Sequence, residues 1–196
     1  KMRPLNKIRV FFSKGPRLLT GLLSTAIIFT TAVTFAAWEN VGPDGFANGA
    51  TYTTLKFSDK TPYVAFIDAG AEQINSVSVM NYSDGSWRYV GERGLSNGQA
   101  NYVTLEFYNS VPYVAFSDFT NSEKVTVMRF TDNRWEPVGI RGFSDGKAAW
   151  ISLAFSGATP YVAFTNVTNS FKAAVMKFNG TEWENDWEAD RYVPSS

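Results

Sequence analysis

A repeat of about 48 residues sets strong limits on how this chain can fold. Four tryptophans are separated by 49, 48 and 48 residues: Trp38, Trp87, Trp135 and Trp183. The segment Pro-Tyr-Val-Ala-Phe recurs in phase with them at 62–66, 112–116 and 160–164. A chain made of such short units buries its apolar residues by stacking one unit against the next. The repeat therefore predicts an array of similar units.

Each unit contains four short segments with the composition of β-strands. In the middle unit they are 102–107, 112–117, 125–130 and 135–138, all rich in Val, Phe, Tyr and Thr. The links between the first and second strands and between the third and fourth are short. Asp84-Gly85 is a pair typical of tight hairpins. Runs such as Tyr-Val-Ala-Phe are apolar at successive positions, which indicates that both faces of each sheet are covered.

These observations predict an all-β fold of β-propeller-type, four-stranded antiparallel blades, with three repeats preceded by one N-terminal hydrophobic helix. The predicted blade repeats span 38–86, 87–134 and 135–183, followed by an acidic polar tail at 184–196. An extra N-terminal strand is predicted at 38–41. Propellers carry about 4–8 blades, so three repeats do not close a ring alone. We expect a protein partner, self-association of two chains, or further repeats in a longer chain to complete the blade ring.

The net charge of zero hides a basic head and an acidic body. Residues 1–37 hold six basic residues and no acid, a charge of +6, while 38–196 hold 12 basic and 18 acidic residues, a charge of −6. Residues 1–17 are predicted to be a basic cytoplasmic segment. The following 20 uncharged residues, 18–37, are predicted to be a helix that is either a transmembrane anchor or a secretory signal peptide. The body is thus expected to be exported: membrane-bound with a periplasmic or extracellular body, or secreted if the helix is cleaved.

The repeated motifs also resemble a known class of protein. Trp-x-x-Val-Gly, Pro-Tyr-Val-Ala-Phe and Val-Met-x-Phe elements are similar to repeats of exported bacterial β-propeller proteins, broadly kelch-like or sialidase-like. The segment 83–87, Ser-Asp-Gly-Ser-Trp, looks like a short form of the sialidase Asp-box turn. In sialidases that turn is a folding element. The arginine triad and tyrosine nucleophile of the sialidase active site cannot be traced in this chain.

The longer loops are predicted to share one face of the array. They connect the second strand to the third and each unit to the next, and loops held on a rigid scaffold often carry binding residues. The candidate binding residues are Asp68, Asp118, Asn166, Arg93 and Arg141. An alternative interpretation is that the Asp and Asn side chains cap strand ends through local backbone bonds. The aromatic residues Tyr52, Tyr102 and Trp150 either stack on sugar rings or pack between blades.

Composition excludes several kinds of chemistry. The chain has no histidine and no cysteine, which removes Cys/His zinc sites, disulfides and Ser-His-Asp catalysis. The acidic body disfavours nucleic acid as a partner. We predict no catalytic residues, no metal and no cofactor. The predicted function is an exported, membrane-tethered binding module that acts as a structural or accessory subunit. A carbohydrate-binding propeller is the second hypothesis, and a fragment of a sialidase-like hydrolase is the third.

Overall fold

A computed structural model of the chain describes residues 37–72 and 75–185. This part forms twelve β-strands and one short 3-10 helix at Phe119–Asn121. The predicted basic segment 1–17, nearly all of the predicted hydrophobic helix 18–37 and most of the predicted acidic tail lie outside the described residues. Across 37–72 and 75–185, no helix has the length and apolarity needed to span a membrane.

The twelve strands form three four-stranded antiparallel sheets, each continuous in sequence. The first sheet consists of β1 (Ala50–Ser58), β2 (Thr61–Asp68), β3 (Ser76–Ser83) and β4 (Ser86–Tyr89). The second consists of β5 (Ala100–Tyr108), β6 (Val111–Asp118), β7 (Lys124–Thr131) and β8 (Arg134–Pro137). The third consists of β9 (Ala148–Ser156), β10 (Thr159–Asn166), β11 (Lys172–Phe178) and β12 (Trp183–Asn185). The predicted all-β class with propeller-type blades is confirmed.

The hairpin between β3 and β4 follows from its two turn residues. Asp84 and Gly85 both have positive φ, 49° and 76°, and the strands on either side pair from Ser83 and Ser86. Two positive φ values define the tight hairpin turn that matches the twist of the flanking strands. The Asp-Gly hairpin predicted from the sequence is therefore present.

The strands that contain Trp87, Trp135 and Trp183 are each the fourth strand of a sheet. Trp87 pairs with Tyr82 and Trp135 with Phe130, so the predicted limits at 86/87 and 134/135 fall at the start of β4 and β8. β12 likewise takes in the first two residues of the predicted tail. The predicted extra strand at 38–41 is wrong, because these residues form no strand and Trp38 is fully exposed. Within residues 37–72 and 75–185, no strand precedes residues 38–41 and pairs with their backbone.

Two hydrophobic cores lie between successive sheets. We call the face that carries Leu55, Leu105 or Leu153 the leading face of its sheet, and the opposite face the trailing face. The first core joins the trailing face of the first sheet, including Ala65 and Val79, to the leading face of the second. The second core repeats this arrangement between the second and third sheets. The continuous apolar runs of the strands are explained by this packing on both faces.

A tryptophan staple holds each sheet to the segment before it. The indole nitrogen of Trp135 donates to the carbonyl of Val90 at 2.7 Å, and Trp183 does the same to Val138 at 2.7 Å. Trp87 donates to the carbonyl of Val41 at 2.8 Å. The glycine after each of these valines packs against the tryptophan ring. Residues 41–42 therefore supply the first sheet with the contact that the other two sheets receive from the end of a preceding sheet.

The first strands line one edge of the array. β1 contacts β5, and β5 contacts β9. In each sheet the start of the first strand pairs with the end of the second, as in Ala50 with Asp68 and Ala100 with Asp118. The start of each first strand, the end of each second strand and the longer loops thus lie at one end of the array. This is the loop face predicted from the sequence.

Candidate functional site

Asp68 at the end of β2 is fully buried, and both of its carboxylate oxygens are engaged. Arg93 donates to them with two bonds, Nε to Oδ2 at 2.7 Å and Nη2 to Oδ1 at 2.8 Å. The amide of Gly70 and the hydroxyl of Ser78 also donate to the carboxylate, at 2.9 and 3.1 Å. Burial alone would raise the pKa of Asp68, but these hydrogen bonds outweigh it and hold the pKa below its ordinary value.

Asp118 at the end of β6 occupies the same position in the second sheet. Its carboxylate accepts bonds from the hydroxyls of Thr120 and Thr126 at 2.6 and 2.9 Å and from Arg141 Nε at 3.1 Å. Burial would raise the pKa of Asp118, but the hydroxyl bonds and the Arg141 charge lower it overall. Arg141 also donates to the carbonyl of Ser96 and so ties two successive loops together.

Asn166 takes this position in the third sheet, and no charged side chain bonds to it among the residues that the structure describes. It accepts one bond from the amide of Asn169 at 3.0 Å. Arg93 and Arg141 each lie six residues after the tryptophan of their unit, and the corresponding residue after Trp183 is Ala189. The aspartate and the arginine are thus replaced in the same repeat, as expected for residues that form a pair.

The loop-face carboxylates lock the loops to the sheets. Asp68 and Asp118 are buried and satisfied by their own chain, which fits the strand-capping interpretation. The buried hydroxyls of Ser96 and Ser144 repeat this role, since each accepts from the amide of the second residue of a third strand, Val77 or Val125. No three acidic side chains cluster to hold a metal ion among residues 37–72 and 75–185.

The three predicted aromatic residues form a row along the first strands. The ring centroids of Tyr52 and Tyr102 are 5.0 Å apart, and those of Tyr102 and Trp150 are 5.6 Å apart. Tyr52 and Trp150 are exposed, and the row lines a shallow depression. Burial raises the pKa of Tyr102, and the neighbouring Tyr52 hydroxyl and Glu123 carboxylate add to the rise. The structure thus brings together three residues that are about 50 positions apart in sequence.

The backbone of this aromatic row is held in an unusual conformation. Tyr52, Tyr102 and Trp150 have φ values of 50°, 54° and 49°, within strands whose register shifts at this point. Left-handed backbone is unfavourable for bulky side chains and persists where the surrounding structure imposes it. The bulge turns each ring out of the regular strand pattern and toward its neighbours in the row.

The leading face of the first sheet is a second candidate surface. Leu55 is 55% exposed and Phe57 is exposed beside it, whereas Leu105 and Leu153 are buried at the same position of the other sheets. A groove of about 730 Å³ crosses this face and is lined by Leu55, Phe57, Val64 and the segment 40–46. The sequence analysis did not identify these residues as a candidate surface. Their place in the first repeat of the array is the feature that could have indicated their exposure.

The trailing face of the third sheet is exposed as well. Val175 is 45% exposed, while Val79 and Val127 at the same repeat position are buried. Ala163 is exposed where Ala65 and Ala115 are buried. Both ends of the three-sheet array therefore present apolar faces of the kind that pack together inside it.

Comparison with known proteins finds similarity to solved structures. No family model matches the chain, and no curated protein matches it. A solved structure described as Bacteroides ovatus xyloglucan PUL GH43B is similar, with 14% sequence identity and a TM-score of 0.46. The match covers 71% of this chain and 29% of that one, so this chain spans less than a third of that protein.

Proposed function

We propose that this protein is an exported, membrane-tethered binding module that assembles with protein through the end faces of its three-sheet array. The observation that carries the proposal is the exposure of Leu55 and Phe57, because the corresponding leucines of the other two sheets are buried and the corresponding phenylalanines are partly buried. Contiguous exposed apolar surface marks sites of protein interaction. The role needs no catalytic group, since rigid sheets supply the shape and the apolar area.

The tether and the export rest on the head of the chain. The +6 charge of residues 1–37 and the uncharged stretch 18–37 support insertion with the N-terminus in the cytoplasm. Mass spectrometry of the N-terminus of the protein made in a bacterial host distinguishes a retained anchor from a cleaved signal peptide. Protease added outside intact spheroplasts should digest the body, and a body that stays protected would contradict export.

Photo-crosslinking tests the binding role. p-Benzoylphenylalanine in place of Leu55 should give a crosslinked polypeptide of fixed mass in the membranes of the producing cell. The same amino acid in place of Ile140 is the matched control, because Ile140 is exposed but lies in the loop after β8. Absence of a product at Leu55, or equal products at both positions, would contradict the proposal.

A carbohydrate-binding role is the second candidate, and the aromatic row favours it. Exposed rings held rigidly beside one another suit stacking against the apolar faces of sugar rings, and the Tyr52 and Tyr102 hydroxyls can bond to sugar hydroxyls. Glycan-array binding should then be lost in Trp150→Ala. Phe171→Ala, which removes an exposed aromatic ring outside the row, should leave it unchanged. Binding that survives Trp150→Ala would rule out this use of the row.

A further inference from the structure

The two exposed end faces correspond to the two halves of each interior interface. At both interior interfaces a trailing face packs on a leading face, with Val79 and Val127 buried on the trailing side and Leu105 and Leu153 on the leading side. The free leading face carries Leu55 and the free trailing face carries Val175, at these same repeat positions. The array thus ends in two surfaces whose complementary partners are already seen within it.

One aromatic contact shows how closely the interior interfaces repeat. Tyr63 meets Phe107 edge-to-face, with ring centroids 4.9 Å apart and planes at 69°. Tyr113 meets Phe155 in the same way, at 4.9 Å and 71°. The residues next in this series are Tyr161 on the free trailing face and Phe57 on the free leading face. They are the pair that a third interface of the same geometry would contain.

The contact of Trp87 with Val41 and Gly42 also bears on which partner fits the first sheet. A molecule that packs on the first sheet does not need to supply a Val-Gly pair, because Val41 and Gly42 of the same chain already pack on Trp87. The third unit correspondingly has Asp186-Trp187 where the earlier units have Val-Gly after the fourth strand. The third unit therefore does not bring a second Val-Gly pair to a site that Val41 and Gly42 already occupy.

We infer that the partner of the end faces is a second copy of this chain, packed head to tail so that two chains form a closed ring of six sheets. The inference rests on the proposed binding function and names its partner. Six sheets fall within the range of about 4–8 blades found in propellers. Head-to-tail contacts close into a ring when the rotation allows it and form filaments when it does not.

The test uses the full chain in a mild detergent, with size-exclusion chromatography and light scattering. The protein should have about twice the chain mass of 21.8 kDa. Val175→Glu and Leu55→Glu each remove one half of the interface and should each give a monomer, whereas the control Ile140→Glu should leave the dimer intact. A mixture of the two monomeric variants should recover dimers, because each supplies the face that the other has lost.

The outcomes separate this inference from the proposed function. p-Benzoylphenylalanine in place of Phe57 should crosslink to the peptide that contains Tyr161, and mixed ¹⁴N and ¹⁵N chains should show that the link joins two molecules. A monomeric native protein, a ladder of larger species, or a mixture that stays monomeric would overturn the closed ring. If Leu55 crosslinks to a different polypeptide only, the binding function stands and the second copy is wrong. If it crosslinks to nothing, both fail.

Discussion

The same leucine in three sheets provides a direct measurement of packing between sheets. Leu55, Leu105 and Leu153 occupy one repeat position, and their residue exposures are 55%, 0% and 4%. Replacing each in turn by alanine changes the same atoms in the same kind of strand. Differences among the three variants then report on what covers each side chain.

The structure sets the expected magnitudes. Leu105 and Leu153 lie in the cores between sheets, where truncation of a buried leucine to alanine costs about 2–5 kcal/mol, from lost burial and the cavity left behind. Complete burial of a leucine contributes about 1.5–3 kcal/mol, and less than half of Leu55 is covered. Solvent fills the space that Leu55→Ala leaves, so the free energy of unfolding should fall by about 1 kcal/mol or less.

Urea denaturation followed by tryptophan fluorescence measures these differences. It should be run at a protein concentration where light scattering shows a single chain, with the slope against urea checked for constancy across the variants. At concentrations where two chains associate, Leu55→Ala should instead show a larger loss, because association stabilises the folded chain by mass action. The natural chain should then unfold at a higher urea concentration as protein concentration rises.

Two results would refute this reasoning. Equal losses for Leu55→Ala and Leu105→Ala in the single chain would mean that the first sheet is covered on its leading face by the chain itself. A loss below about 1 kcal/mol at Leu105 would mean that the first and second sheets do not pack as described, because buried leucines are not truncated so cheaply.

Three further predictions concern contacts that recur between sheets. Gly91→Ala should lower the free energy of unfolding by about 2–4 kcal/mol, since φ is +74° and the new Cβ would lie 2.7 Å from the Phe130 ring. Gly85→Ala, at a similar φ but in open space, should lower it by about 1–2 kcal/mol. Equal urea midpoints for the two variants would contradict the packing of Gly91 against Phe130. Trp135→Phe should cost about 1–3 kcal/mol by removing the donor to the Val90 carbonyl, and an unchanged urea midpoint would speak against the staple. The lowered pKa of Asp118 contributes stability above its unfolded pKa of about 3.9, and that stability is lost as pH falls through the folded pKa. Asp118→Asn should therefore be less stable than the natural chain at pH 7, and its free energy of unfolding should fall less between pH 7 and pH 3 in urea titrations. An equal fall in both proteins would mean that the Asp118 carboxylate does not contribute to the loss of stability in acid.

Much of the fold was predictable because the repeat appears in the sequence itself. The phase of the tryptophans, the apolar runs and the Asp-Gly pair predict the sheets and their order, since these depend on local turns and on neighbouring strands. The strand predicted at 38–41 from the Trp-x-x-Val-Gly motif does not form, because the motif does not by itself supply a strand to pair with. A strand forms only where another strand binds its backbone, and none precedes it in the described structure.

The candidate site was predictable as a set of residues but not as a set of roles. Asp68 and Asp118 stand out by recurrence, yet whether a carboxylate faces solvent or is enclosed by its own chain depends on the loops that fold over it. The joint loss of aspartate and arginine in the third unit is the one sequence signal of their pairing. The aromatic row needs the alignment of three first strands before Tyr52, Tyr102 and Trp150 can meet.

The repeated motif specifies the four strands of each unit, whereas packing between units specifies what each sheet contacts. Leu55, Leu105 and Leu153 are equivalent in the repeat, and so are Val79, Val127 and Val175. Burial depends on the neighbour that a side chain receives, and among the described residues the first and last sheets each lack one. For that reason identical positions became two packed cores inside the array and two exposed apolar faces at its ends.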